Sequence, residues 1–212
     1  MSTAYERFAG ICAIFAGFIA FLYAIAFVVL RNSLLSGLFL MLLGLLIPIF
    51  VVGIYQRVRQ VDEAFALWAL LTGIVGGFGT AVHGGYDLAV ALNPPASNPV
   101  TLANLPNQVD PRGLLTFAVT GISFLILAWL MGRSAVFSRG LQLLGYLAGA
   151  LLVIIYLARL IILDPTNPVL LVPVLVSGFV VIPIWNIWLG LALRRAGQRG
   201  QSPQAMPASA SH

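Results

Sequence analysis

Three side chains able to do acid–base or ligand chemistry fall within five residues, in the stretch His83-Gly84-Gly85-Tyr86-Asp87. His83 and Asp87 are four apart, a spacing that places both on one face of a helix. An aspartate next to an imidazole can set its tautomer, and such a pair can relay a proton or contribute to a metal site. A metal would need further ligands. The other histidine is His212, and the single cysteine, Cys12, lies in a different apolar run, where it reads as a small packing residue. No metal or other cofactor is therefore expected. The chain has no phosphate-binding glycine loop, no nucleophile elbow and no HExxH zinc motif. No catalytic residues are assigned, and a non-catalytic role is the leading reading.

Two more ionisable residues join this set by position. Arg159 ends an apolar run, and Asp164 follows it by five residues, just before Pro165. An arginine near hydrocarbon is costly without a partner. The expected partner is Asp87 on another helix at the same depth, since Asp164 is poorly placed around the helix. The alternatives are an Arg159 that snorkels to phosphates and one that builds an anion or headgroup site. His83, Tyr86, Asp87, Arg159 and Asp164 together form the candidate binding site.

The elements that must position these residues follow from composition. The chain has 212 residues, 60% hydrophobic and 8% charged, with mean hydropathy +1.02. A soluble domain carries about 25% charged residues, so an integral membrane protein is expected. About 20 apolar residues cover the roughly 30 Å of bilayer hydrocarbon. Six segments meet this, at about 8–30, 34–55, 64–89, 113–131, 141–163 and 169–193. The first is too long for a signal-peptide core, although Ala24-Ile25-Ala26 resembles a cleavage site. The first two spans are joined by Arg31-Asn32-Ser33 alone and form a tight hairpin, and Pro48 is expected to bend the second. The proline-rich segment 93–112 is the longest connection. Residues 196–212 have the composition of a disordered cytoplasmic tail. The fold class is an all-α six-helix membrane bundle, residues 1–195.

The third span carries a second signal. Ala69, Gly73, Gly77, Ala81, Gly85 and Ala89 recur every fourth residue and make a strip of nearly bare backbone. Small residues at this spacing let membrane helices approach closely. The third span is therefore expected to be central, with the other helices packed around it. Gly145 and Gly149, and Ala16, Ala20 and Ala24, are smaller strips of the same kind. Asn186, three residues after Pro183, is expected to bond a backbone group freed by that proline.

All eleven basic residues are arginines. With both termini cytoplasmic, eight of them fall on the cytoplasmic side, in line with the positive-inside rule. Trp68, Trp129, Trp185 and Trp188 then fall at cytoplasmic span ends, as an interfacial belt. The arginines lie singly or in pairs, which speaks against nucleic-acid binding.

Residues 128–161, AWLMGRSAVFSRGLQLLGYLAGALLVIIYLARLI, and 183–195, PIWNIWLGLALRR, pair a short arginine-bearing link with an LG-x-L-AG-type helix and a tryptophan-bearing last helix. In this the second half resembles an uncharacterised bacterial six-span family, domain of unknown function 4386. The resemblance implies a multi-pass plasma-membrane protein and no activity. The functional expectation is a polar pocket at the outer face that binds a small ligand, a lipid headgroup or a partner. The alternatives are a small proton-coupled transporter using His83 and Asp87, and an accessory subunit. Expected partners are the bilayer and a second copy or a larger membrane complex.

Overall fold

The computed structural model describes residues 3–93, 107–162, 164 and 167–199. Helix dominates, and no strand occurs among the described residues. Helix α1 (Thr3–Ala24) continues through a π-helical turn, Ile25–Val29. Helices α2 (Ser33–Val58) and α3 (Glu63–Leu92) follow. A 3-10 turn (Pro111–Gly113) and a π-helical turn (Leu114–Val119) lead into α4 (Thr120–Arg133). Then come α5 (Arg139–Ile161) and α6 (Pro168–Val176), the latter joined by a π-helical turn, Ser177–Val181, to α7 (Ile182–Arg199). Six of these stretches are long and apolar enough to cross a membrane. The sixth runs from Pro168 through both helices and their π-helical turn. Its helix extends to Arg199, so residues 196–199 are helical rather than tail; the rest of the expected tail lies outside the described residues, as do 94–106 of the long connection.

Local chemistry accounts for the helix starts. Asn32, Asp62 and Asn167 each accept a backbone N–H from the first turn that follows, at Leu35, Phe65 and Val169. These are the preferred N-cap types, and their oxygens satisfy amides the helix leaves unpaired. In the 31–32 link Arg31 takes a positive φ of 49°, which lets two residues reverse the chain. Pro48 does not break α2, which is continuous through it.

The helices pack as a ring in the order α1, α2, α3, α4, α5, α7, closing on α1. Three of the closest crossings are made by small residues. Gly10 meets Gly190 between α1 and α7, Gly44 meets Ala81 between α2 and α3, and Gly121 meets Gly149 between α4 and α5. In each, a Cβ built on the glycine would come within 3 Å of facing backbone.

This arrangement corrects the expectation of a central third span. Helix α3 packs on α2 and α4 and leaves Leu67, Leu71, Val75, Phe78 and Val82 exposed in one stripe. The middle of the ring is instead aromatic. Phe50 of α2, Phe124 of α4 and Trp185 of α7 are buried together, the last two rings 4.5 Å apart. Trp185 is therefore a core residue and not part of an interfacial belt; Trp68 and Trp188 are exposed. The glycine strip divides its work. Gly73, Gly77 and Ala81 lie against Val51, Pro48 and Gly44 of α2, while Gly76 and Gly79, off the strip, admit Thr120 and Leu115.

The two ends of the ring differ. At the end carrying Tyr5 and Arg194, called here the terminal end, buried Glu6 pairs with Arg57 and ties α1 to α2. The Tyr5 hydroxyl donates to the Ile49 carbonyl at 3.0 Å. The opposite end, the loop end, holds Asn107 to Gly113.

Asn186 also departs from expectation. Its Nδ2 donates to the Ile182 carbonyl at 3.0 Å, which is not the carbonyl that Pro183 leaves free, because a proline at 183 frees residue 179. Its Oδ1 is buried without a partner among the described residues. A buried acceptor without a bond costs about 1–3 kcal/mol. Asn186→Leu should therefore leave the thermal midpoint in detergent unchanged or raise it. A fall of several degrees would show that Oδ1 has a partner in solution.

Candidate functional site at the loop end

The site is built from α3, the segment before α4, and α5. His83 lies on the buried side of α3 and is 5% exposed. Its Nδ1 is 3.0 Å from Asp110 Oδ2. Its Nε2 is 3.5 Å from Asp87 Oδ2, one helical turn on. The imidazole therefore stands between two carboxylates, one on each ring nitrogen. The acidic groups address opposite edges of the ring, and no group of three His, Cys, Asp or Glu that could hold a metal converges among the described residues.

Asp110 is the anchor. It is 1% exposed. Oδ1 accepts the Leu115 amide at 2.8 Å, and Oδ2 accepts the Thr116 amide at 3.1 Å and the Thr116 hydroxyl at 2.6 Å, beside His83 Nδ1. Two of these donors are amides that the start of the fourth span leaves unpaired. Asp110 thus caps that span from below Pro111 and at the same time fixes the imidazole. Burial alone would push its carboxyl up, but the bonds from His83, the Thr116 hydroxyl and the Leu115 and Thr116 amides outweigh it and hold it below the ordinary 3.8.

With Asp110 ionised, Nδ1 carries a proton and donates. Nε2 then faces Asp87 with either a lone pair or a second proton. The contact joins Nε2 to Asp87 Oδ2. At 3.5 Å it is an electrostatic contact rather than a formed hydrogen bond.

Asp87 is held from its other side. Asn107 Nδ2 donates to Asp87 Oδ1 at 2.8 Å and sits 3.2 Å from the His83 carbonyl. Asn107 Oδ1 accepts the Val109 and Asp110 amides at 3.0 and 2.8 Å. One asparagine therefore shapes the turn that delivers Asp110 and clamps Asp87. The Asp87 side chain remains 39% exposed.

Arg159 does not pair with Asp87. The ion pairs among the described residues are Glu6–Arg57 and the two contacts of His83. Its guanidinium lies over the Phe117 ring, 5.1 Å from the centroid, within the range of a cation–π contact. It remains within electrostatic reach of Tyr23, Asp110, Asp87 and Arg112. Beside it Arg112 (φ 57°) and Gly113 (φ 80°) are both left-handed and turn the chain into the fourth span. A side chain at Gly113 would meet the Phe117 ring at 2.3 Å, so that position needs glycine for space as well as conformation.

Of the residues expected to form the site, His83 and Asp87 come into contact. Arg159 joins through charge and through Phe117. Tyr86 is half-buried one position from Asp87 and makes no hydrogen bond with the other described residues. Asp164 is exposed in the link to the sixth span, where its carbonyl accepts the Asn167 amide. Asn107, Asp110 and Thr116 were not expected. Asp110 followed by Pro111 at the edge of an apolar run is an N-cap signal and was the clue available. The groups bond to one another instead of lining a polar pocket. The cavity beside them is apolar, of about 330 Å³, between α3 and the segment 109–115.

Comparison with protein-family models, with curated proteins and with solved structures finds no match to this chain.

Proposed function

We propose that the chain is a non-catalytic multi-pass protein of the plasma membrane, with both termini cytoplasmic and the loop end outside. Its role is to bind a ligand that offers hydrogen-bond donors, with Asp87 as the recognition group. The observation that carries this reading is the state of Asp87. The carboxylate is fixed by Asn107 and stands off His83 at 3.5 Å, with 39% of its side chain exposed. A charged acceptor that is held by Asn107, accepts one hydrogen bond among the described residues and is partly open suits an ammonium group, and bonds to charged groups are the stronger kind. The buried Asp110 behind His83 keeps the imidazole in place while the ligand binds. Ethanolamine is a suitable probe. Calorimetry on the purified chain should give saturable binding, weakened about tenfold or more by Asp87→Asn. Absence of heat with the wild type would remove this reading.

The line Asp110–His83–Asp87 favours a second reading, a small proton-coupled transporter. It runs from a buried to an exposed carboxylate through one imidazole. That reading requires pH-dependent flux in proteoliposomes that His83→Ala abolishes.

A further inference from the structure

The apolar cavity and the polar site share a wall. Val75, Phe78, Gly79 and Val82 of α3 form one side of the cavity, and Val109 and Leu115 form the other. Val109 and Leu115 flank Asp110, and the Leu115 amide is one of the donors to its carboxylate. His83 and Asp87 stand on the same helix, the first directly after Val82. Val75, Phe78 and Val82 are each about half exposed, so the cavity is a groove open along the outside of the ring. Tyr86 lies one turn beyond Val82, at its upper end. The groove therefore ends on α3 at Val82, next to His83 of the site at the loop end.

Within a bilayer an apolar groove gains little from holding a lipid tail, because the tail leaves surroundings as apolar as those it enters. Discrimination has to come from the head. The charged residues in the chain segments that adjoin the groove on its loop-end side are of both signs. Asp87 is 39% exposed and accepts one hydrogen bond among the described residues. Arg112 lies in the segment between Val109 and Leu115, and Arg159 is within electrostatic reach of Asp87, Asp110 and Arg112. An anion alone would be drawn to the arginines and repelled by Asp87, and a cation alone would meet the reverse. A zwitterion with a phosphate and an N–H-bearing ammonium satisfies both.

We infer that groove and site together bind one amine-bearing phospholipid. An acyl chain lies along Val75, Phe78 and Val82, the phosphate faces Arg112, and the primary ammonium donates to Asp87. A quaternary choline head has the charge but no N–H to donate, and is disfavoured. The inference rests on the reading of Asp87 as the recognition group and adds the rest of the ligand to it.

The test uses the full chain, purified and stripped of lipid, then offered phosphatidylethanolamine, phosphatidylcholine and phosphatidylglycerol with identical acyl chains in equal amounts. Native mass spectrometry reads what is retained. Phosphatidylethanolamine should be retained over phosphatidylcholine by about tenfold, the value of one bond to a charged group. Asp87→Asn should level the two. Val82→Trp, at an exposed position that tolerates bulk, should reduce retention of the lipid while leaving binding of soluble glycerophosphoethanolamine unchanged. Equal retention of the three lipids by the wild type, or a preference for phosphatidylglycerol, overturns the inference. If glycerophosphoethanolamine still binds in that case, the lipid is wrong and the Asp87 reading stands. If it does not bind, both fall.

Discussion

Replacing Asp110 with alanine should destabilise the chain more than any other change at the loop end. Four donors converge on this carboxylate: the His83 ring, the Thr116 hydroxyl and the Leu115 and Thr116 amides. The residue is 1% exposed, so water does not readily replace what is lost. At about 1–3 kcal/mol for each buried donor left unpaired, the loss is on the order of 4 kcal/mol or more, a large share of the roughly 5–15 kcal/mol of a typical domain. Thermal unfolding in detergent checks it. Asp110→Asn keeps the shape but cannot accept from all four donors, and should fall between wild type and alanine. The same bonds give a pH signature. The folded carboxyl lies below its ordinary 3.8, so its stabilisation is present above that value and is lost as pH falls through the folded value. The wild-type midpoint should therefore drop in acid below about pH 4, and the Asp110→Ala midpoint should drop less over the same range. Parallel acid limbs for the two proteins would contradict this assignment.

The second large effect is expected at Gly44. A Cβ there would lie 2.1 Å from the Ala81 amide nitrogen and 2.6 Å from its Cα. The obstacle is backbone, which cannot rotate away, so Gly44→Ala forces α2 and α3 apart. Overpacking a core costs about 1–3 kcal/mol and occasionally more, and this contact belongs at or above the top of that range. Gly85 provides the contrast. It belongs to the same every-fourth-residue strip of α3 as Ala81, yet the nearest atom to its Cβ is Met41 Sδ at 3.8 Å. Gly85→Ala should be neutral, or stabilising by up to about 1 kcal/mol through helix propensity alone. Midpoints that move together for the two variants would mean that the crossing is looser than described.

These two positions also show how far the sequence could be read. The existence and order of six apolar helices follow from run length and hydropathy, because hydrocarbon leaves the backbone few choices. The Asn32 and Asp62 caps follow from residue type. The four-residue repeat marks a packing face, but it does not say which partner fills each step. Gly44 is not part of any long repeat, and its importance comes from Ala81 on another helix. Gly85 carries the repeat without the partner. Trp185 illustrates the same limit. Tryptophan near a span end suggests an interface, and the aromatic neighbours that make it core come from α2 and α4. At the site, His83 and Asp87 are neighbours on one helix and were visible as such. Asp110 is 27 residues from His83 and reaches it only because Asn107 shapes the intervening turn. The expected Asp87–Arg159 pair failed for a related reason: Phe117, met only in the fold, offers Arg159 a ring face.

The Gly10–Gly190 crossing has a consequence for how the molecule is made. Residues emerge in order during synthesis, at about 5–20 per second. The partners of α2 and α3 are available early, since each is adjacent in the chain to a helix it packs against. Helix α1 must wait. The side of it that carries Gly10 and Gly17 is covered only when α7 arrives. At those rates the interval is roughly ten seconds or longer. During that time α1 offers a close-packing surface to any other uncovered helix, and the ribosome-bound intermediate is an open arc with two unmatched edges. The ring is sealed by α7, the latest of these helices in chain order, so its closure depends on synthesis reaching that helix.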